Sequence, residues 1–102
     1  MREPADVITA AVLAVPGVAA MHAGMFGEVA TYLPGRRVTG VRIGDAVDIH
    51  ISLIFDAPVR DTAAAIRRAV AALTALPVNV TIEDVVPPVS PGDGSAHPEP
   101  PP

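Results

Sequence analysis

Cysteine is absent from the 102 residues, and so is lysine; Phe26, Tyr32 and Phe55 are the only aromatics. Without cysteine there are no disulfides, no thiolate nucleophile and no thiolate-held iron–sulfur cluster, which fits a reducing cytosol. With so few rings, a core of Val, Ile, Leu and Ala is predicted. All seven cations are arginine and the net charge is −4, which argues against a general polyanion binder. No apolar run approaches the ~20 residues of a membrane span, and no basic start followed by an apolar stretch predicts a leader.

Seven of the twelve prolines fall in the last sixteen residues. The segment 87–102 cannot bury enough apolar surface to offset its ordering entropy, so a disordered, proline-rich tail is predicted there. It is read as a solubilising extension or a docking segment for a polyproline-reading groove. The foldable part is then residues 1–86, enough for one modest core.

Ile8, Ala11, Val12 and Val15 recur on one helical face, and Pro16-Gly17 stops the run, predicting a helix over 4–15. Val18–His22 suits a short strand. Between Gly24 and Gly35, the spacing of Phe26, Val29 and Leu33 suits a short amphipathic helix, with a structured loop as the alternative. From Val38 the period becomes two. Val41 and Ile43 lead to Gly44-Asp45, whose chemistry suits a hairpin turn. Val47, Ile49, Ile51, Leu53 and Phe55 then face one way along the longest strand. A second helix is predicted from Pro58 to Leu76, with Ile66, Ala69, Val70, Leu73 and Leu76 as its buried stripe. Val78, Val80 and Ile82 alternate with Asn79, Thr81 and Glu83 in a final strand.

These elements make an α+β two-layer sandwich. A three- to four-stranded mixed sheet carries both helices on one face, and the strand–helix–strand unit makes its two strands parallel. The reverse face is predicted to be polar: Arg42, Asp48, His50, Ser52, Asn79, Thr81 and Glu83.

Asp48-x-His50-x-Ser52 holds the residue types of a hydrolase triad, but same-face neighbours on a strand stand roughly 6.5–7 Å apart. A nucleophile and its base need about 2.6–3.2 Å. His22, His50 and His97 show no zinc-ligand spacing. No enzyme activity, metal or cofactor is predicted. Asp56 and Asp61 suit the positive end of the second helix. Nucleic acid is not predicted as a partner, since the polar face has no stacking aromatics and no phosphate-cradling loop is present. The candidate partner-binding residues are Met25, Phe26, Tyr32, Arg36, Arg37 and Arg42: apolar groups in a glycine-rich loop beside a basic cluster.

Several stretches in order resemble the alkaline shock protein family of bacterial envelope-stress-response proteins. They are Val15-Pro16-Gly17-Val18-Ala19, Gly24-Met25-Phe26-Gly27-Glu28, Tyr32-Leu33-Pro34-Gly35-Arg36-Arg37, Gly40-Val41-Arg42-Ile43 and the closing Val78–Val85. The match spans about Asp6 to Val86. The resemblance implies a helix–sheet domain without catalytic residues. It also implies a cytoplasmic, self-associating scaffold held at the inner face of the membrane through a small membrane-anchored partner. The lysine-free composition and the proline-rich tail depart from many members. Two other readings stay open: an adaptor resembling iron–sulfur cluster assembly factors, and a small nucleic-acid-binding domain.

Overall fold

The computed structural model describes residues 2–87, so the predicted tail lies outside the described residues except for Pro87. The elements run α1 (Pro4–Leu13), β1 (Val18–Met21), β2 (Ala30–Leu33), β3 (Arg36–Thr39), β4 (Val41–Ile43), β5 (Val47–Ile54), α2 (Val59–Ala71) and β6 (Val78–Val86). The architecture is α+β, with both helices on one face of a four-stranded mixed sheet.

Strand β5 is the axis of that sheet. On one edge it pairs parallel with β6 along its whole length, as the intervening helix requires. Its other edge is shared by two short antiparallel strands: β4 opposite Val47–Ile49 and β1 opposite Ile51–Leu53. Val47, Ile49, Ile51 and Leu53 are fully buried beneath Ile8 and Val12 of α1 and Ile66 and Val70 of α2. Each of these larger side chains contributes about 1.5–3 kcal/mol by leaving water.

The segment 24–35 is neither a helix nor merely a loop. A turn over residues 25–27 leads into β2, which pairs with β3 from Ala30↔Thr39 to Leu33↔Arg36. Pro34 and Gly35 make the connection, with Gly35 at φ +77°, the arrangement of a type II turn. The helical spacing was coincidental: Val29 is 1% exposed, whereas Phe26 is 87% exposed. The strand expected from Val38 is broken at Gly40, where the chain passes from β3 into β4.

Three predicted boundaries also shift. Helix α1 ends at Leu13, because Val15 donates to the Val12 carbonyl in a tighter last turn ahead of Pro16. Helix α2 ends at Ala71, and Leu73 and Leu76 stay 46% and 37% exposed instead of completing the buried stripe. There the Thr74 hydroxyl accepts the Leu76 N–H at 3.1 Å, a local turn that competes with the helix. Phe55 leaves the core because β5 stops at Ile54 and Asp56 takes φ +76°.

Gly40 is the tightest backbone position. Its φ is +84°, and a Cβ there would stand 2.9 Å from both the His50 carbonyl oxygen and the Met21 Cβ. Gly40→Ala is therefore expected to destabilise by more than about 2 kcal/mol, combining left-handed strain with a backbone clash. Gly35 has similar φ but open space around it, so Gly35→Ala is expected to cost only ~1–2 kcal/mol. Urea unfolding of both variants measures the difference, and equal losses would refute the close approach at Gly40.

Candidate functional site

His50 sits where β1 and β4 meet on the edge of β5. Its amide donates to the Gly40 carbonyl, and its carbonyl accepts from His22, both at 2.9 Å. The chain between these points, residues 23–39, is thus an arm that leaves and returns at one residue of the central strand. The arm is tied down along its length. Val29 donates to Ala23 and Gly40 donates to Val29, while the Thr31 hydroxyl donates to the Val41 carbonyl at 2.6 Å. Val29, Ala30 and Val38 are buried beneath it.

Five of the six candidate partner-binding residues lie on this arm. Met25 and Phe26 project from the turn at 79% and 87% exposure. That turn is ordered by Gly27 donating to the Gly24 carbonyl and Phe26 donating to Glu28 Oε1. Tyr32 is exposed and stands opposite Arg37 across the β2–β3 pair.

The basic cluster is not brought together as a unit. Arg36 makes a two-pronged bond to Asp6 of α1, at 2.7 and 3.0 Å. Arg42 lies on β4, where its guanidinium is 3.6 Å from Asp48. Arg37 has no ion-pair partner among the described residues. The hydrogen bond from Arg36 holds the Asp6 carboxyl below its ordinary value, against a smaller opposing effect of desolvation.

The polar face of the sheet carries its own pairings. His50 Nδ1 lies 2.5 Å from Glu83 Oε2, with both side chains largely covered. A carboxylate only accepts, so Nδ1 carries the proton. His22 takes the opposite tautomer: its Nδ1 accepts the Gly24 N–H at 2.9 Å, and its Nε2 faces Asp84 at 3.9 Å. Asp48 accepts from Asn79. The three residues of the triad pattern are thus engaged separately, since His50 turns to Glu83 and Ser52 is buried.

Glu83 reaches His50 through a bulge. Ile51 pairs with Ile82 but Ser52 pairs with Asp84, leaving Glu83 as the extra residue. The alternation held a signal for it: Asp84 falls on the inward phase set by Val78, Val80 and Ile82, a place an acid avoids. No comparable local pattern links Asp6 to Arg36, thirty residues apart.

Two clefts open elsewhere. One, of about 510 Å³, lies between Val15, Phe55, Pro58 and Ala65; the other, of about 420 Å³, lies between Pro4, Ile8, Ile43 and Leu73. Neither is lined by His50 or Glu83. Among the described residues, no three His, Asp or Glu side chains gather as a metal-ion site, and no helix is long and apolar enough to cross a membrane.

No family model, curated protein or solved structure matches the chain.

Two outcomes follow from these pairings. Glu83→Gln keeps an acceptor for His50, whereas Glu83→Ala leaves a half-buried N–H unpaired and is expected to cost about 1–2 kcal/mol. Denaturant midpoints that fall equally for both would remove the hydrogen-bond account. The second concerns Asp6, whose depressed folded pKa stabilises the fold above the unfolded value. That contribution is lost as pH falls through the folded value. The stability gap between the native chain and Asp6→Asn is therefore expected to persist at pH 6 and close below about pH 4. Melting curves across that range check it.

Proposed function

We propose that this chain is a non-catalytic envelope-stress-response protein. In this reading it is a self-associating scaffold on the cytoplasmic side of the membrane, and its hairpin arm captures a small membrane-anchored protein. The resemblance of Asp6–Val86 to the alkaline shock protein family supplies the biological setting. One observation supports the arm as the contact surface: Met25 and Phe26 are displayed almost fully to solvent by an ordered, hydrogen-bonded turn. Large apolar side chains held outward together mark interaction sites, because their exposure is unfavourable until a partner covers them. A fixed turn also loses little conformational freedom on binding. Tyr32 and Arg37, opposite each other further along the same arm, add two residue types enriched at binding hot spots.

Arg36 and Arg42 contribute less in this reading, since each already faces a carboxylate of its own chain. The partner is accordingly apolar at the contact, with an acidic or carbonyl-rich rim to meet Arg37.

Crosslinking in cells, followed by membrane fractionation, tests the proposal. The native chain is expected to co-purify with a small membrane-anchored protein. Met25→Ser/Phe26→Ser is expected to keep its melting temperature and lose at least about tenfold of the capture, as removal of a hot spot does. Undiminished capture by that variant would sink the assignment of the surface. Recovery of iron–sulfur assembly factors instead, or of RNA bound in a salt-sensitive way at ~50 mM salt, would replace the reading.

A further inference from the structure

Strand β6 is a sheet edge whose first half, residues 78–82, lacks the usual protection. It pairs with β5, and among the described residues no strand covers its other side. Edges normally carry lysine, inward charge, proline or a bulge to block pairing with another chain. Here the bulge and the acids lie at Glu83-Asp84, and the prolines stand outside at Pro77 and Pro87. Val78-Asn79-Val80-Thr81-Ile82 between them has no charge, no proline and high strand propensity.

The hydrogen-bonding phase of this stretch is set by its neighbour. Val47 donates to the Pro77 carbonyl and Phe55 to the Val86 carbonyl, so the odd-numbered residues of β5 turn toward β6. The parallel register then directs the backbone groups of Asn79 and Thr81 to β5. Those of Val78, Val80 and Ile82 point out from the open edge. No residue of β6 is fully buried, although Val78, Val80 and Ile82 pack against the core. The apolar row is only half covered.

We propose that this edge pairs antiparallel with the same edge of a second copy, about a two-fold axis at Val80. The stretch is self-complementary in that register. Val80 meets its own counterpart, Val78 meets Ile82 on the helix-covered face, and Asn79 meets Thr81 on the polar face. The three outward residues exchange about six backbone hydrogen bonds between the two chains. Glu83 falls opposite Pro77, so no carboxylate faces another. The two sheets become one continuous sheet of eight strands. This names the surface for the self-association proposed above and rests on that reading.

The cysteine-free chain allows a direct test. Light scattering of the full chain is expected to give twice the monomer mass. Asn79→Cys/Thr81→Cys is expected to yield a covalent dimer under mild oxidation, through the directly opposed pairs. Asn79→Lys/Thr81→Lys sets ammonium groups opposite each other on an exposed face, and is expected to give a monomer with native circular dichroism. A native chain that is monomeric at high concentration overturns both the edge and self-association. A native dimer whose cysteine variant does not crosslink, or whose lysine variant stays dimeric, overturns the edge alone. A covalent dimer from Thr81→Cys by itself would move the axis and refute this register.

Discussion

The backbone of His50 holds the structure's two edge fragments in line. Its carbonyl accepts from His22 at the end of β1, and its N–H donates to Gly40 at the entry to β4. Two strands too short to persist separately thereby behave as one interrupted strand along β5. The arrangement demands that the chain at Gly40 approach His50 more closely than any side chain permits. It is also what allows seventeen residues to be diverted outward as an arm without disturbing the sheet. The core below it, Val41, Val47, Ile49, Ile51 and Leu53 against Ile66 and Val70, remains unbroken.

What could be read from the residues follows from how locally each element is encoded. The alternation in Val47–Ile54 and Val78–Ile82 repeats often enough to fix both period and face, and α2 shows a clear stripe at Ile66 and Val70. The helix–sheet layering was therefore accessible from pattern alone. The arm was not, because Phe26, Val29 and Leu33 satisfy a helical spacing by chance. Their environments differ completely: Val29 is enclosed and Phe26 is solvated. The better signal was Pro34-Gly35 between Thr31-Tyr32 and Val38-Thr39, a turn flanked by strand-favouring residues. At the candidate site, the sequence placed Met25, Phe26 and Tyr32 near one another but gave no warning that Arg36 would be paired with Asp6. Long-range ion pairs leave no periodic trace.

Among the described residues, two arginines and two histidines face carboxylates of their own chain. Arg36 binds α1 to the tip of the arm, Arg42 meets Asp48, and His50 meets Glu83. The two exposed arginine pairs add little stability singly, but they determine orientation. The Asp6–Arg36 pair joins the first helix to the hairpin tip, and so restricts the arm's direction while its apolar turn stays uncovered. In the proposed reading, such a surface would select by shape and apolar contact, with Arg37 as the cation of the arm that has no ion-pair partner among the described residues.

The arm and the β6 edge lie on opposite sides of β5. The arm emerges where β1 and β4 meet, whereas β6 borders the far edge. Pairing of two copies through β6 would therefore direct their arms away from the junction, one at each end of the joined sheet. Neither contact would compete with the other, and each arm would keep its own Met25 and Phe26 available. On the function and pairing proposed above, two arms on one sheet would make capture of a membrane-anchored partner bivalent. Once the first arm is engaged, the second meets its partner at a raised local concentration, so a weak individual contact yields a much longer attachment. A chain with one small apolar turn per copy would gain from self-association in this way without enlarging the turn itself.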